Sequence, residues 1–421
     1  MRAHLSCVWQ LTVGLASSTT LVNVVLAQGP VPQTVQTQQS SAPNPKVKIA
    51  KRAVARGWRA SPSFQVDAEY DNNVFLFAPT RKDNIAAPST AELISGRYSD
   101  MNQATDVLTT VSAGLTVKGP GIMGKSSVIS PEVSYELYTQ NTRRSNLRLG
   151  LSLQQEAWAN GRFRLQGSLR PRYFARNYLA DAIDLDASGS ITDDERVYAR
   201  GEYREGELVA DYRLPFSKST RKRPFGAALQ VGGGFYNRSY DAPLEGRNLH
   251  GPMAGAKLLF DLGRRVALDV GYDYSSLAAR VTDQILLLDE PDFGQDLNGN
   301  GTTSDLGARV LTPVDRSRKE HSIGATLRLG ASKKADLSVG YEYRWRRYTS
   351  AETLDVTNRG RRDSRNQLSA DLRVGLTKDL RARLGGVHSS QRLNRSGDPG
   401  STGEIDDYSR SQARLGLSYD L

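Results

Sequence analysis

Ala413-Arg414-Leu415-Gly416-Leu417-Ser418-Tyr419-Asp420-Leu421 puts an apolar side chain at every second position, with Arg414, Gly416, Ser418 and Asp420 between them. Strand side chains point alternately to opposite faces, so this segment has one apolar and one polar face. Repeated around a closed sheet, such strands sit in lipid with every backbone group paired. A soluble sandwich shows the same alternation locally, so recurrence decides. In 145–159, Leu147, Leu149, Leu151 and Leu153 alternate with Arg148, Gly150, Ser152 and Gln154. Across an Asn160-Gly161 hairpin signal, Phe163, Leu165, Leu169 and Tyr173 alternate with Arg162, Arg164, Gln166, Ser168, Arg170 and Arg172. Val266, Leu268, Val270, Tyr272 and Tyr274 form another apolar set, and Leu337, Val339, Tyr341, Tyr343 and Trp345 a third.

About fourteen such segments follow one another: near 63–76, 104–118, 126–140, 145–159, 161–180, 196–214, 224–241, 249–263, 264–280, 319–332, 335–351, 364–379, 380–394 and 406–421. The sixth, the weakest, changes apolar phase between Tyr203 and Leu208, which points to a bulge or to a misassigned segment. Connections alternate in length. One set is short, including Asn160-Gly161, Gly263-Arg264 and Lys333-Lys334; the other includes 77–103, 181–195, 281–318 and 395–405. The expected fold is all-β: a transmembrane antiparallel up-and-down β-barrel of about fourteen strands, with short periplasmic turns and long extracellular loops.

The start of the chain divides by composition. Arg2 and His4 precede a broken apolar region, Leu11 to Leu26, and Val25-Leu26-Ala27 makes a small-residue cleavage site. A signal-anchor helix is the other reading, and Ser17, Ser18, Thr19, Thr20 and Asn23 make it a poor bilayer span. Residues 1–27 therefore read as a secretory signal peptide. Residues 28–60 read as a disordered periplasmic tether with a basic end, and 61–421 as an outer-membrane barrel. The only cysteine, Cys7, falls in the signal, which excludes disulfide scaffolds and cysteine metal sites from the rest. Mean hydropathy is −0.49, polar for a membrane protein, but a barrel shows only alternate residues to lipid. Formal net charge is +11. With export, that balance suits anionic lipid heads or solutes and not nucleic acid. The expected partners are outer-membrane lipid, the barrel-assembly machinery, and an anionic solute or polysaccharide.

Arginine crowds the polar faces. Arg162, Arg164, Arg170, Arg172 and Arg176 share one strand, with Arg344, Arg346, Arg381, Arg383, Arg328, Arg373 and Arg414 elsewhere; Glu136, Asp269, Asp273, Glu342 and Asp371 accompany them. Charges in a barrel interior need partners or water. Two readings stand: an aqueous channel with positive potential, or a structural ladder of arginine–carboxylate pairs. A second constellation is Asp184, Asp186, Ser188, Gly189, Ser190 and Glu195, which follows the twelve-residue EF-hand calcium loop. Its flanks read as strands and not helices, so calcium there would order an external loop. A second loop, with Asp296, Asn298, Asn300 and Gly301, lacks the closing carboxylate and reads as a turn. Catalysis has little support: the four histidines share no metal or nucleophile spacing, and the expected protein is not an enzyme.

The stretch Val66-Asp67-Ala68-Glu69-Tyr70-Asp71-Asn72-Asn73-Val74-Phe75, followed by Thr105-Asp106-Val107 through Gly114-Leu115, resembles the β-barrel porin families of Proteobacteria. Some of their members accompany exopolysaccharide export systems. The shared pattern is Asp-Asn-Asn-aromatic at the first loop, then a second strand running from Asp to Gly-Leu. That resemblance implies a channel, for a small anionic solute or an exported polysaccharide. A non-conducting barrel displaying calcium-stabilised surface loops for adhesion or envelope architecture is the alternative. Surface-lipoprotein assembly modifiers open similarly but carry a helical repeat domain ahead of the barrel, for which residues 28–60 leave no space.

Overall fold

A computed structural model describes residues 57–77, 82, 84–85, 87–120, 125–157, 160–182, 196–217, 225–263, 265–287, 309–330, 332, 334–351, 355, 358–394 and 407–420. The signal, most of the tether and the Asp184–Glu195 stretch lie outside them.

The strands are β1 (Arg59–Asp71), β2 (Asp106–Pro120), β3 (Ser126–Tyr138), β4 (Asn146–Glu156), β5 (Arg162–Ala182), β6 (Arg196–Ser217), β7 (Phe225–Tyr240) and β8 (Leu249–Leu262). They continue as β9 (Val266–Leu277), β10 (Thr282–Leu287), β11 (Arg309–Val314), β12 (Arg318–Gly330), β13 (Ala335–Tyr348), β14 (Arg362–Gly375), β15 (Leu380–Asn394) and β16 (Tyr408–Asp420). Fourteen of them close one antiparallel barrel in chain order, β9 pairing with β12 and β16 returning to β1. These match the fourteen expected segments to within a few residues. β10 and β11 form a separate two-stranded sheet inside the stretch read as the long connection 281–318. Its Asp- and Gly-rich middle dominated that reading, although Ile285-Leu286-Leu287 and Val310-Leu311 flank it with strand formers.

Closure fixes which face is which. Leu147, Leu149, Leu151, Leu258, Ile323, Val339, Leu368, Leu384, Leu415 and Leu417 all stand exposed on the outer wall. Their chain neighbours turn inward, where buried Asp67, Glu69, Asp211, Glu320, Asp363 and Arg410 are found. A wall apolar outside and charged inside has the polarity of a lipid-embedded barrel, the reverse of a soluble one. Gly232 sits where β7 crosses close to β6: a Cβ there would meet the Ala210 carbonyl at 2.7 Å. The Gly232–Gly234 run is therefore a packing feature, as its place inside a strand implies.

One expectation is displaced. β6 keeps its register against β7 from Tyr203 to Leu208, so Tyr203 faces inward on the same alternation that turns Leu208 outward, and the bulges lie in β5. Between Arg170 and Tyr173, Phe174 and Asn177, and Leu179 and Asp181, β5 gains one residue over its partner each time. Each extra residue reverses which side chain faces inward. Tyr173 thus faces the interior beside Tyr203 and is 5% exposed, whereas the sequence phase put it outside.

Candidate functional site

The interior is layered. Arg164 binds Asp211 at 2.8 Å, Arg344 binds Glu342 at 2.6 Å, Arg170 lies 3.6 Å from Glu136, and Arg383 shares Asp371 with Arg373. Arg346 bridges Glu320 at 3.0 Å and Asp363 at 3.7 Å, with Arg318 and Arg361 closing the cluster. Arg414 holds Glu69 and Arg410 holds Asp71 across the closing seam. Arg381 reaches Asp420 at the short-turn end, and Arg162 is exposed at the same end. Arg172 follows the first extra residue of β5, and its side chain is 67% exposed while bound to Glu202.

Openness changes along the axis. Towards the short turns Arg381, Arg373 and Arg328 keep 40%, 38% and 35% of their side chains exposed. Towards the long loops Arg238, Arg410 and Glu320 are almost fully buried. The difference comes from the first long loop, 72–105, which turns inward. Asn73, fully buried, starts it. Its side-chain amide donates to the Phe77 carbonyl at 2.8 Å and its carbonyl accepts the Phe77 N–H at 2.9 Å, while Asp71 accepts the Asn73 N–H at 2.8 Å. This clamp presents Val74, Phe75 and Leu76 to the interior, where Phe75 packs edge-on to Phe174 of β5. The Asp-Asn-Asn-aromatic signature is thus the hinge that folds the loop into the lumen.

Those loop residues cap a cavity of about 130 Å³ lined from every side of the barrel. Its wall holds nine arginines and a single carboxylate, Glu205. Tyrosines separate the arginines: the Arg238 guanidinium lies 4.5 Å from the Tyr203 ring centre, Arg361 4.4 Å from Tyr348, and Arg247 3.7 Å from Tyr178. Ring faces partly balance these charges. Glu205 accepts from Arg238 at 2.6 Å and from the Tyr236 hydroxyl at 2.9 Å. Arg170 Nε, Arg238 Nε and Arg361 Nη1 remain buried with no partner among the described residues. Unmatched buried donors of this kind are costly until water or an anion meets them. The volume accommodates on the order of ten waters, or a small oxyanion.

Of the arginines picked out by sequence, Arg170, Arg176 and Arg346 reach this cavity. Arg162, Arg164, Arg344, Arg381 and Arg383 lie elsewhere along the wall. Arg144, Arg238, Arg247, Arg316, Arg318 and Arg361 were missed. The signal for Arg238 was there: Tyr236, Arg238 and Tyr240 share one phase of β7. Arg144 and Arg361 belong to loop segments, where no alternation marks a direction.

No family model matches the chain, and no curated protein does. Solved structures that resemble it are outer-membrane β-barrels, porins and channels among them. A loop-deletion mutant of OmpT, an outer membrane protein of Vibrio cholerae, is 10% identical, covering 87% of this chain and 99% of its own, at TM-score 0.37. OccAB3 of Acinetobacter baumannii is 11% identical, with 86% and 99% covered, at TM-score 0.36. A bacterial polysaccharide outer membrane secretin is 8% identical, with 86% and 98% covered, at TM-score 0.35.

Proposed function

We propose that this chain is exported by an N-terminal signal and forms an outer-membrane channel selecting small anions. The observation that carries this reading is the cavity under the long loops, where nine arginines line the wall against Glu205 there and Glu136, Glu320 and Asp363 behind it, and several N–H donors are buried without a partner among the described residues. A field of that sign concentrates anions and rejects cations at that level. The half-exposed arginines below would draw the ion onward. A sugar polymer would have to push Val74, Phe75 and Leu76 aside, so a small solute fits better than an exported polysaccharide.

Planar-bilayer recording under a potassium chloride gradient tests this. Steady conductance with a reversal potential towards chloride is expected. Cation preference overturns the anion filter, and silence from folded protein favours the non-conducting barrel, whose support is the extent of ion pairing across the lumen. Anion-favouring current that appears only after deletion of 74–77 would return the polysaccharide outlet to first place.

The Asp184–Glu195 string supports a calcium-ordered outer loop, with Asp184, Asp186, Ser188, Ser190 and Glu195 as ligands. Calcium should then slow proteolysis within 181–195; equal cleavage in calcium and in chelator removes that proposal.

A further inference from the structure

Three cations stand side by side on the outer wall at the long-loop end. Lys319 of β12 is the register partner of Arg347 of β13, and Arg347 is the partner of Arg362 of β14. All three are exposed. Their inward neighbours Arg318, Arg346 and Arg361 are bound to Glu320 and Asp363. The outward three make no ion pair with a carboxylate among the described residues. Direct cross-strand neighbours hold their Cβ atoms about 5 Å apart, and like charges so placed repel. A row of three is therefore unfavourable unless an anion lies over it.

What lies beneath the row indicates which anion. One pleat down, about 7 Å along the strand, His321 pairs in register with Trp345 and their rings stack at 5.0 Å and 3°. Tyr274 lies 5.1 Å from His321, Tyr343 lies 5.7 Å from Trp345, and the Tyr272 hydroxyl sits 2.7 Å from His321 Nδ1. Lower still the outward positions are Val270, Leu327, Val339 and Leu368. Cations, then rings, then aliphatic side chains follow the order of a leaflet from headgroup to tails.

We infer that Lys319, Arg347 and Arg362 seat the phosphate of a phosphorylated glycolipid in the outer leaflet. Two guanidinium forks and an ammonium suit a doubly charged group with three oxygens. The ring belt meets the interfacial part of the lipid and the aliphatic wall its acyl chains. The inference needs the barrel in the outer membrane with its long loops outward; it does not need the barrel to conduct.

The test places the full-length folded protein in vesicles of zwitterionic phospholipid containing a phosphorylated glycolipid or its dephosphorylated form. Lipid retained after detergent extraction is then counted by native mass spectrometry. Wild type should retain the phosphorylated form, and the triple variant Lys319→Gln, Arg347→Gln, Arg362→Gln should lose it by about tenfold, the worth of a charge-assisted hydrogen bond. Arg204→Gln, removing an exposed arginine on β6, should leave retention unchanged. In neutral detergent alone the triple variant should melt higher than wild type, because the repulsion is gone. Equal retention by wild type and triple variant overturns the inference, as does equal retention of the dephosphorylated lipid. Full displacement by millimolar inorganic phosphate would make the seat one for a soluble anion, and a triple variant that fails to fold would refute the repulsion on which the row is argued. Bilayer conductance recorded on the same samples separates this result from the fate of the channel reading.

Discussion

Asn73 and Glu205 carry more of the site than their size suggests, and each has a measurable consequence. Asn73→Ala removes both arms of the clamp on Phe77 and leaves a buried N–H and carbonyl unmet. Equilibrium urea unfolding in detergent should show a loss of about 2–4 kcal/mol. Single-channel conductance should rise as Val74–Leu76 come loose. Glu205→Gln leaves Arg238, 1% exposed, without its charge partner. That change should cost about 3 kcal/mol in the same assay, while moving the reversal potential further towards chloride. The arginine phase was legible in the sequence because β13 and β15 alternate without interruption. Tyr173 was not legible, because the extra residue that turns it inward leaves no compositional trace in Arg170-Pro171-Arg172-Tyr173 beyond a proline.

Within the first loop, Thr90–Ile94 forms a single helical turn with a capping box: the Ser89 hydroxyl accepts the Glu92 N–H at 3.2 Å, and Glu92 accepts the Ser89 N–H at 3.0 Å. Burial by itself would raise the Glu92 pKa. The Ser89 N–H and hydroxyl, with Arg97 nearby, outweigh it and hold the carboxyl below its usual value. A depressed carboxyl contributes stability above its unfolded pKa, about 4.3, and that contribution fades as pH falls through the lower folded value. Amide protection factors in 89–96, taken relative to the intrinsic rate at each pH, should therefore fall below about pH 4, and Glu92→Gln should flatten that dependence. Alternation announced each barrel strand. This turn and the β10–β11 sheet escaped because a few residues in a polar loop carry too little periodicity to register.

The barrel itself was the most legible feature, since lipid outside and charge inside impose one rule on fourteen strands and any strand out of phase would expose its error. The rule also predicts depth. Leu151, in the middle of β4 and 55% exposed, should lose about 2–4 kcal/mol of stability in lipid vesicles as Leu151→Arg. Val107→Arg, one residue into β2 at the long-loop end, should cost less than about 1 kcal/mol. Similar costs at the two positions would mean the wall does not face hydrocarbon. The uneven strand lengths have a consequence of their own. β5 and β6 run for 21 and 22 residues, against 11 in β4. The surplus of ten residues over the adjacent β4 spans about 33 Å of extended chain, so the β5–β6 pair stands as a ridge beside β4 at the long-loop end of the wall. An antibody or a phage fibre approaching from the long-loop side would meet that ridge before the stretch of rim over β4 beside it.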